Sequence, residues 1–121
     1  MVLVTANKSK RLLQVSFIDR VTADQVRAGG SDLRTLLADF TSGFRLLTDL
    51  DRLESMDDDC AVEIGRMMDL LRESGIELVV RVVPKPERDI GLNILSVFHY
   101  GRELRTVSCE NMVEAAQVLH F

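Results

Sequence analysis

A chain of 121 residues, 46% hydrophobic and 28% charged, is long enough for one domain with a continuous core, and this composition excludes a long disordered tail. With 15 Lys and Arg against 19 Asp and Glu the formal net charge is -4, so no general attraction to nucleic acid or to an anionic membrane is expected. Residues Met1 to Lys10 show no basic segment followed by a long apolar run, and no later stretch has spanning length, which gives a cytoplasmic protein as the expectation.

Val2 to Ala6 is apolar, Asn7 to Lys10 supplies turn chemistry, and Leu13, Val15 and Phe17 then alternate with Gln14 and Ser16. That two-residue period predicts an opening β-hairpin with one face on a core. Thr22 and Gln25 have the spacing of a capping box, and Val26, Leu33, Leu36, Leu37 and Phe40 continue at roughly helical intervals. Gly29 and Gly30 predict a kink or a restart at Ser31 within this helix.

Phe44 to Leu50 reads as a buried strand with acids at its end, followed by a turn through Arg52 to Met56. From Asp57 onward Cys60, Ala61, Ile64, Met67, Met68 and Leu71 form a helical stripe, with Glu63, Arg66, Asp69 and Arg72 expected outside it and Gly75 closing the helix. Ile76 to Val83 is β-branched and almost uncharged, a central strand stopped by Pro84 and Pro86. Glu87 to Phe98 predicts a helix with Ile90, Ile94, Leu95, Val97 and Phe98 as its apolar residues, and Gly101, His99 and Arg102 suit its end. Leu104 to Val107 predicts a short strand, Ser108 a cap, and Met112, Val113, Ala116 and Leu119 the inner face of a last helix.

This order, ββα-βα-βα-βα, predicts a single α/β domain over residues 1–121, with a mixed sheet of about five strands and about four helices. Cys60 and Cys109 are far apart and lack Cys-x-x-Cys spacing, so reduced thiols are expected, with no zinc site, redox pair or other cofactor. His99 and His120 have no nucleophile at a catalytic spacing and read as structural or exposed. Met67 and Met68 read as core filling.

The densest polar feature is Met56-Asp57-Asp58-Asp59-Cys60, between a buried strand and an amphipathic helix. A helix start is electropositive and has unpaired N-H groups, so one acid there needs no more explanation than capping. Three successive acids repel one another and exceed what a cap requires.

The run from Phe44 through Asp49, Leu50 and Met56 to Asp57, Asp58, Asp59, Cys60 and Val62 resembles a segment of the STAS family of anti-sigma-factor antagonists. There a hydrophobic strand ends in Asp-Leu, a short loop follows, and Asp-Ser-Ser-Gly opens the next helix. On that resemblance Asp57 matches the motif acid, Asp58 the first Ser, Asp59 the phosphorylated Ser and Cys60 the Gly, while Asp49 matches the strand-end acid. It implies a STAS-like fold and a non-catalytic regulatory module whose partner is a protein, such as an anti-sigma-factor-like kinase. Asp59 cannot take a phosphate from a serine kinase, so the resemblance implies a fixed negative charge in place of a switched one. The partner-binding loop is then Asp57, Asp58, Asp59 and Cys60, with Asp49 and Asp51 in support.

Three alternatives stand beside this reading. A structural subunit would self-associate, for instance as a homodimer through the edge of the opening hairpin. A ligand sensor of the same fold would bind a small or apolar molecule. A haloacid-dehalogenase-like phosphatase would use Asp49 and Asp51 as a strand-end Asp-x-Asp, but Arg52 and Leu53 stand where that family has Gly and Thr. A calcium loop built from these acids lacks the EF-hand order, and a receiver domain lacks its early acid pair.

Overall fold

Alternation in the opening segments produces β1 (Val2–Asn7) and β2 (Leu12–Phe17), paired antiparallel from Val2 opposite Phe17 to Asn7 opposite Leu12. In the computed structural model, which describes residues 1–85 and 89–120, the sheet then grows by parallel addition. β4 (Phe44–Asp49) lies beside β2, β6 (Ile76–Val82) beside β4, and β7 (Arg105–Cys109) beside β6, giving the order β1-β2-β4-β6-β7. The mixed five-stranded α/β architecture is therefore the expected one.

Each parallel step needs a crossover helix. α1 (Ala23–Leu37), α2 (Cys60–Glu73) and α3 (Asp89–His99) bury one face of the sheet, with Val26, Leu33, Ile64, Met67 and Met68 packed on Leu13, Val15, Leu46 and Val79. α4 (Met112–Leu119) covers the other face through Ala115 and Leu119, which meet Leu12, Leu47, Leu78 and Val80. β6 is buried on both faces, as its near-continuous apolar run requires, and so is its neighbour β4 through Leu46 and Leu47.

Several local expectations are corrected. α1 runs unbroken through Gly29 and Gly30, because Gly29 is where β1 and α2 approach closely: a Cβ there would lie 2.7 Å from Val2 Cγ1 and 3.2 Å from Met67 Cε. Its N-terminus is the expected capping box of Thr22 and Gln25. Residues Leu53 to Met56 are not a turn but a strand, β5 (Leu53–Met56), parallel to β3 (Asp19–Val21) in a separate two-stranded sheet.

Glu63 does not lie outside the apolar stripe of α2 but is buried with it, whereas Ala61 is exposed. Glu63 tolerates burial because its carboxylate accepts from Arg27 at 3.1 Å and from Arg66 at 3.0 Å, tying α1 to α2. α3 extends to His99, and of its apolar residues Ile94, Val97 and Phe98 face solvent; the expected start at Glu87 and the second stop at Pro86 lie outside the described residues. Ser108 belongs to β7 and Asn111 caps α4, accepting from the Glu114 N-H. On α4 Met112 and Val113 are exposed, since the buried face is set one residue away by Ala115 and Leu119.

Candidate functional site

The acidic segment joins β5 to α2, and the accessory sheet determines where it sits. β3 and β5 are too short to bury much area, so they are fixed mainly by backbone pairing and by their neighbours. Asp19 follows β2 in the left-handed region with φ 58, and its N-H donates to the Arg52 carbonyl at 2.9 Å. At the other end of the pair the Asp57 N-H donates to the Val21 carbonyl at 3.1 Å. The Arg20 guanidinium then grips the Asp57 carboxylate, with Nη2 3.2 Å from Oδ1 and 3.4 Å from Oδ2.

Asp57 is thus half-buried and its charge is met by Arg20. Asp58 and Asp59 are exposed at the N-terminal tip of α2, where the helix dipole favours anions. Asp59 occupies the cap position, but with φ -70 and ψ -9 it is already helical, and its side chain accepts no cap hydrogen bond. A carboxylate in that position is not used to satisfy the helix start, so capping does not explain it.

Cys60 departs from the expected loop. Its side chain is completely buried, with Sγ 3.5 Å from the Val21 carbonyl, so it anchors the loop to the core and offers nothing to a partner. Burial raises its pKa, and the negative charges of Asp59 and Asp57 raise it further. A reactive thiolate at the helix tip is therefore disfavoured. Cys109 is also buried, and its pKa is raised by the same loss of solvation.

Asp49 is not brought to this loop. Strand alternation places it on the face of Leu47, toward α4, where it lines a shallow groove with Gln14, Ser16 and Arg52. Its Oδ1 accepts from the Asp51 N-H at 2.9 Å, a local turn contact, and Asp51 itself is exposed in that turn. Among the described residues no three His, Cys, Asp or Glu side chains converge in a way that would hold a metal ion. A small cavity of about 30 Å³ lies between the sheet and α2, lined by Thr48, Ile64, Met68, Arg81 and Tyr100 among others. Among the described residues no helix is long and apolar enough to cross a membrane.

Arg20 and the β3–β5 pair were missed by sequence reasoning. A three-residue strand shows no period, and the only local signal was a pair of apolar residues, Val21 and Met56, just before the two helix starts.

An antiparallel hairpin leading a parallel sheet, crossover helices on one face and a terminal helix on the other together give the SpoIIAA-like fold. A structure of an uncharacterized DUF3478-family protein with a SpoIIAA-like fold from Shewanella loihica PV-4 is similar with a TM-score of 0.72 at 14% identity, over 98% of this chain and 92% of that one. The anti-sigma factor antagonist SpoIIAA in its unphosphorylated form is similar with a TM-score of 0.59 at 17% identity, over 99% of this chain and 98% of that one. The Bacillus cell fate determinant SpoIIAA in its phosphorylated form is similar with a TM-score of 0.62 at 13% identity, over 98% and 99% of the two chains. No protein-family profile and no curated protein sequence matches the chain.

Proposed function

We propose that the chain is a non-catalytic regulatory module that binds a protein partner through the tip of α2, with Asp59 supplying a constant negative charge where an anti-sigma factor antagonist carries a phosphorylatable serine. One observation carries this reading: Asp58 and Asp59 are exposed at an electropositive helix start, and Asp59 makes no cap hydrogen bond. Asp57 is answered by Arg20 within the chain, which leaves the adjacent like charges of Asp58 and Asp59 at the exposed tip for another molecule to read. A single carboxylate copies the sign of a phosphate but not its full charge or its three oxygens, so the affinity state it fixes is a partial imitation of the phosphorylated one. The fold of SpoIIAA supports the reading at the level of architecture.

The test is binding of candidate anti-sigma-factor kinases to wild type, Asp59→Ser and Asp59→Ala by calorimetry, with ATP added to the Ser variant. The reading expects Asp59→Ser to become phosphorylatable and the three proteins to differ in affinity. Equal affinity for all three removes the acidic tip as the determinant. One observation keeps self-association as a second reading: β1 is an edge strand with the sequence Val-Leu-Val-Thr-Ala-Asn, lacking the charges or proline that usually protect an edge. Sedimentation of wild type against Leu3→Lys decides it, because a dimer built on that edge dissociates in the variant.

A further inference from the structure

Beside the acidic tip an open groove of about 300 Å³ runs between α2 and α3. Met56, Ile64, Leu92 and Leu95 give it an apolar lining, while Asp57 and Asp58 contribute carboxylates from the α2 side. It continues through Met56 and Leu92 into a second open groove that carries Leu50, Leu53 and Glu54. The combination is an apolar trough with a negative margin.

Gly91 forms part of the α3 side of this groove, and a Cβ built there meets no heavy atom within 4 Å. Among the described residues nothing therefore forbids a side chain at this position. Glycine in a helix is less stable than alanine, so a glycine with open space beside it costs stability without serving the fold. What it does is leave room. Ile94 and Phe98, three and seven residues further along α3, share the flank of Gly91 and are 56% and 77% exposed. They extend the apolar strip out of the groove onto the surface.

We propose that this groove is the docking site for an amphipathic helix of a protein partner. The helix would lay Leu- or Ile-type side chains on Met56, Leu92 and Leu95 and direct Lys or Arg side chains to the exposed Asp58, Asp57 being held by Arg20. The proposal rests on the reading of the α2 tip as a protein-recognition surface and adds the chemistry of what is recognised. Charge complementarity selects the occupant: the carboxylate margin repels phosphate groups and anionic lipid and attracts a basic segment. The two helical walls match the helix-in-groove mode of recognition, in which apolar anchors recur at helical spacing.

The experiment uses the full chain and three synthetic peptides of about 18 residues, roughly five helical turns. One is an amphipathic Leu–Lys peptide, one its Leu–Glu counterpart, and one has the Leu–Lys composition permuted to destroy the apolar face. The Leu–Lys peptide should bind, the other two should bind at least about tenfold more weakly, and Gly91→Leu should lower Leu–Lys affinity by about tenfold or more while circular dichroism and melting remain those of a folded chain. Asp58→Asn should weaken binding at low salt, with the difference fading as salt is added. No binding of the Leu–Lys peptide, equal binding of the permuted peptide, or unchanged affinity in Gly91→Leu overturns the proposal. Once a natural partner is in hand, loss of its binding on Gly91→Leu but not on Asp59→Ser retains the groove and discards the fixed-charge reading; the opposite pattern does the reverse.

Discussion

Arg20 and Asp57, which lie 37 residues apart in the chain, are joined by three side-chain hydrogen bonds of 3.2–3.4 Å that hold the root of the acidic segment against β3. The pair is largely exposed on the Arg20 side, so its direct contribution to global stability is about 0–1 kcal/mol. Its larger effect is positional, because Asp57 is also the residue whose N-H extends the β3–β5 pairing to Val21.

Arg20→Ala should therefore leave the denaturation midpoint almost unchanged and loosen the loop. The measurement is hydrogen exchange at the amides of Asp57 to Cys60 beside a urea titration. Faster exchange confined to that segment, with stability within about 1 kcal/mol of wild type, is the expected outcome. Global destabilisation well beyond that range would show that the accessory sheet is part of the main cooperative core.

The glycines of the helices separate by what surrounds them. At Gly65 a Cβ would lie 2.5 Å from His99 Nε2, whose ring is held over α2 by a 2.7 Å contact between Nδ1 and Asp69. At Gly91 a Cβ enters open space. Gly65→Ala should destabilise by about 1–3 kcal/mol through overpacking between α2 and α3, and Gly91→Ala should stabilise by up to about 1 kcal/mol. Thermal or urea melts of the two variants read both signs directly, and a loss of stability in Gly91→Ala would mean that the groove is not open in solution.

Burial sets the behaviour of the chain toward alkali and thiol reagents. The pKa of Tyr100 is raised by desolvation, even though Arg81 pulls the other way, and those of Cys60 and Cys109 are raised as well. In each case the unfolded chain releases its proton at lower pH than the folded one, so the unfolded state binds fewer protons and stability falls as pH rises. The decline should begin near the ordinary thiol range of about 8.5 and steepen near pH 10, where an unfolded tyrosine ionises. Native protein should react with iodoacetamide at pH 8 far more slowly than protein unfolded in urea. Rapid alkylation of Cys60 in the native state would require the α2 tip to open.

The long elements were legible because their periods are long enough to see. Ile76 to Val83 read as an interior strand from six apolar residues in eight, and Thr22 with Gln25 fixed the start of α1 by chemistry specific to that spacing. The errors fall where spacing alone was asked to decide a partner. Gly29 looked like a helix breaker because Val2 and Met67 are distant in sequence, and Glu63 looked exposed because Arg27 comes from another helix. The acidic cluster was visible as composition. That Cys60 anchors it, that Arg20 holds its first residue, and that a groove opens beside it follow only from packing.

Two helix starts give a direct comparison of what an oxygen-bearing residue does at a cap. Thr22 is in extended conformation, accepts from the Gln25 N-H at 3.3 Å, and donates its own N-H to Gln25 Oε1 at 3.0 Å. Asp59 is helical in conformation and accepts nothing from the first turn of α2. Thr22→Ala should accordingly cost about 1 kcal/mol, the usual loss of a working cap. Asp59→Ala should stay within about 0.5 kcal/mol of wild type. The favourable interaction of its charge with the helix dipole is offset by repulsion from Asp57 and Asp58. Urea titrations of the two variants under identical conditions test the contrast. A loss on Asp59→Ala as large as that on Thr22→Ala would make the third acid an ordinary cap after all, and would remove the reason for assigning its charge to another molecule.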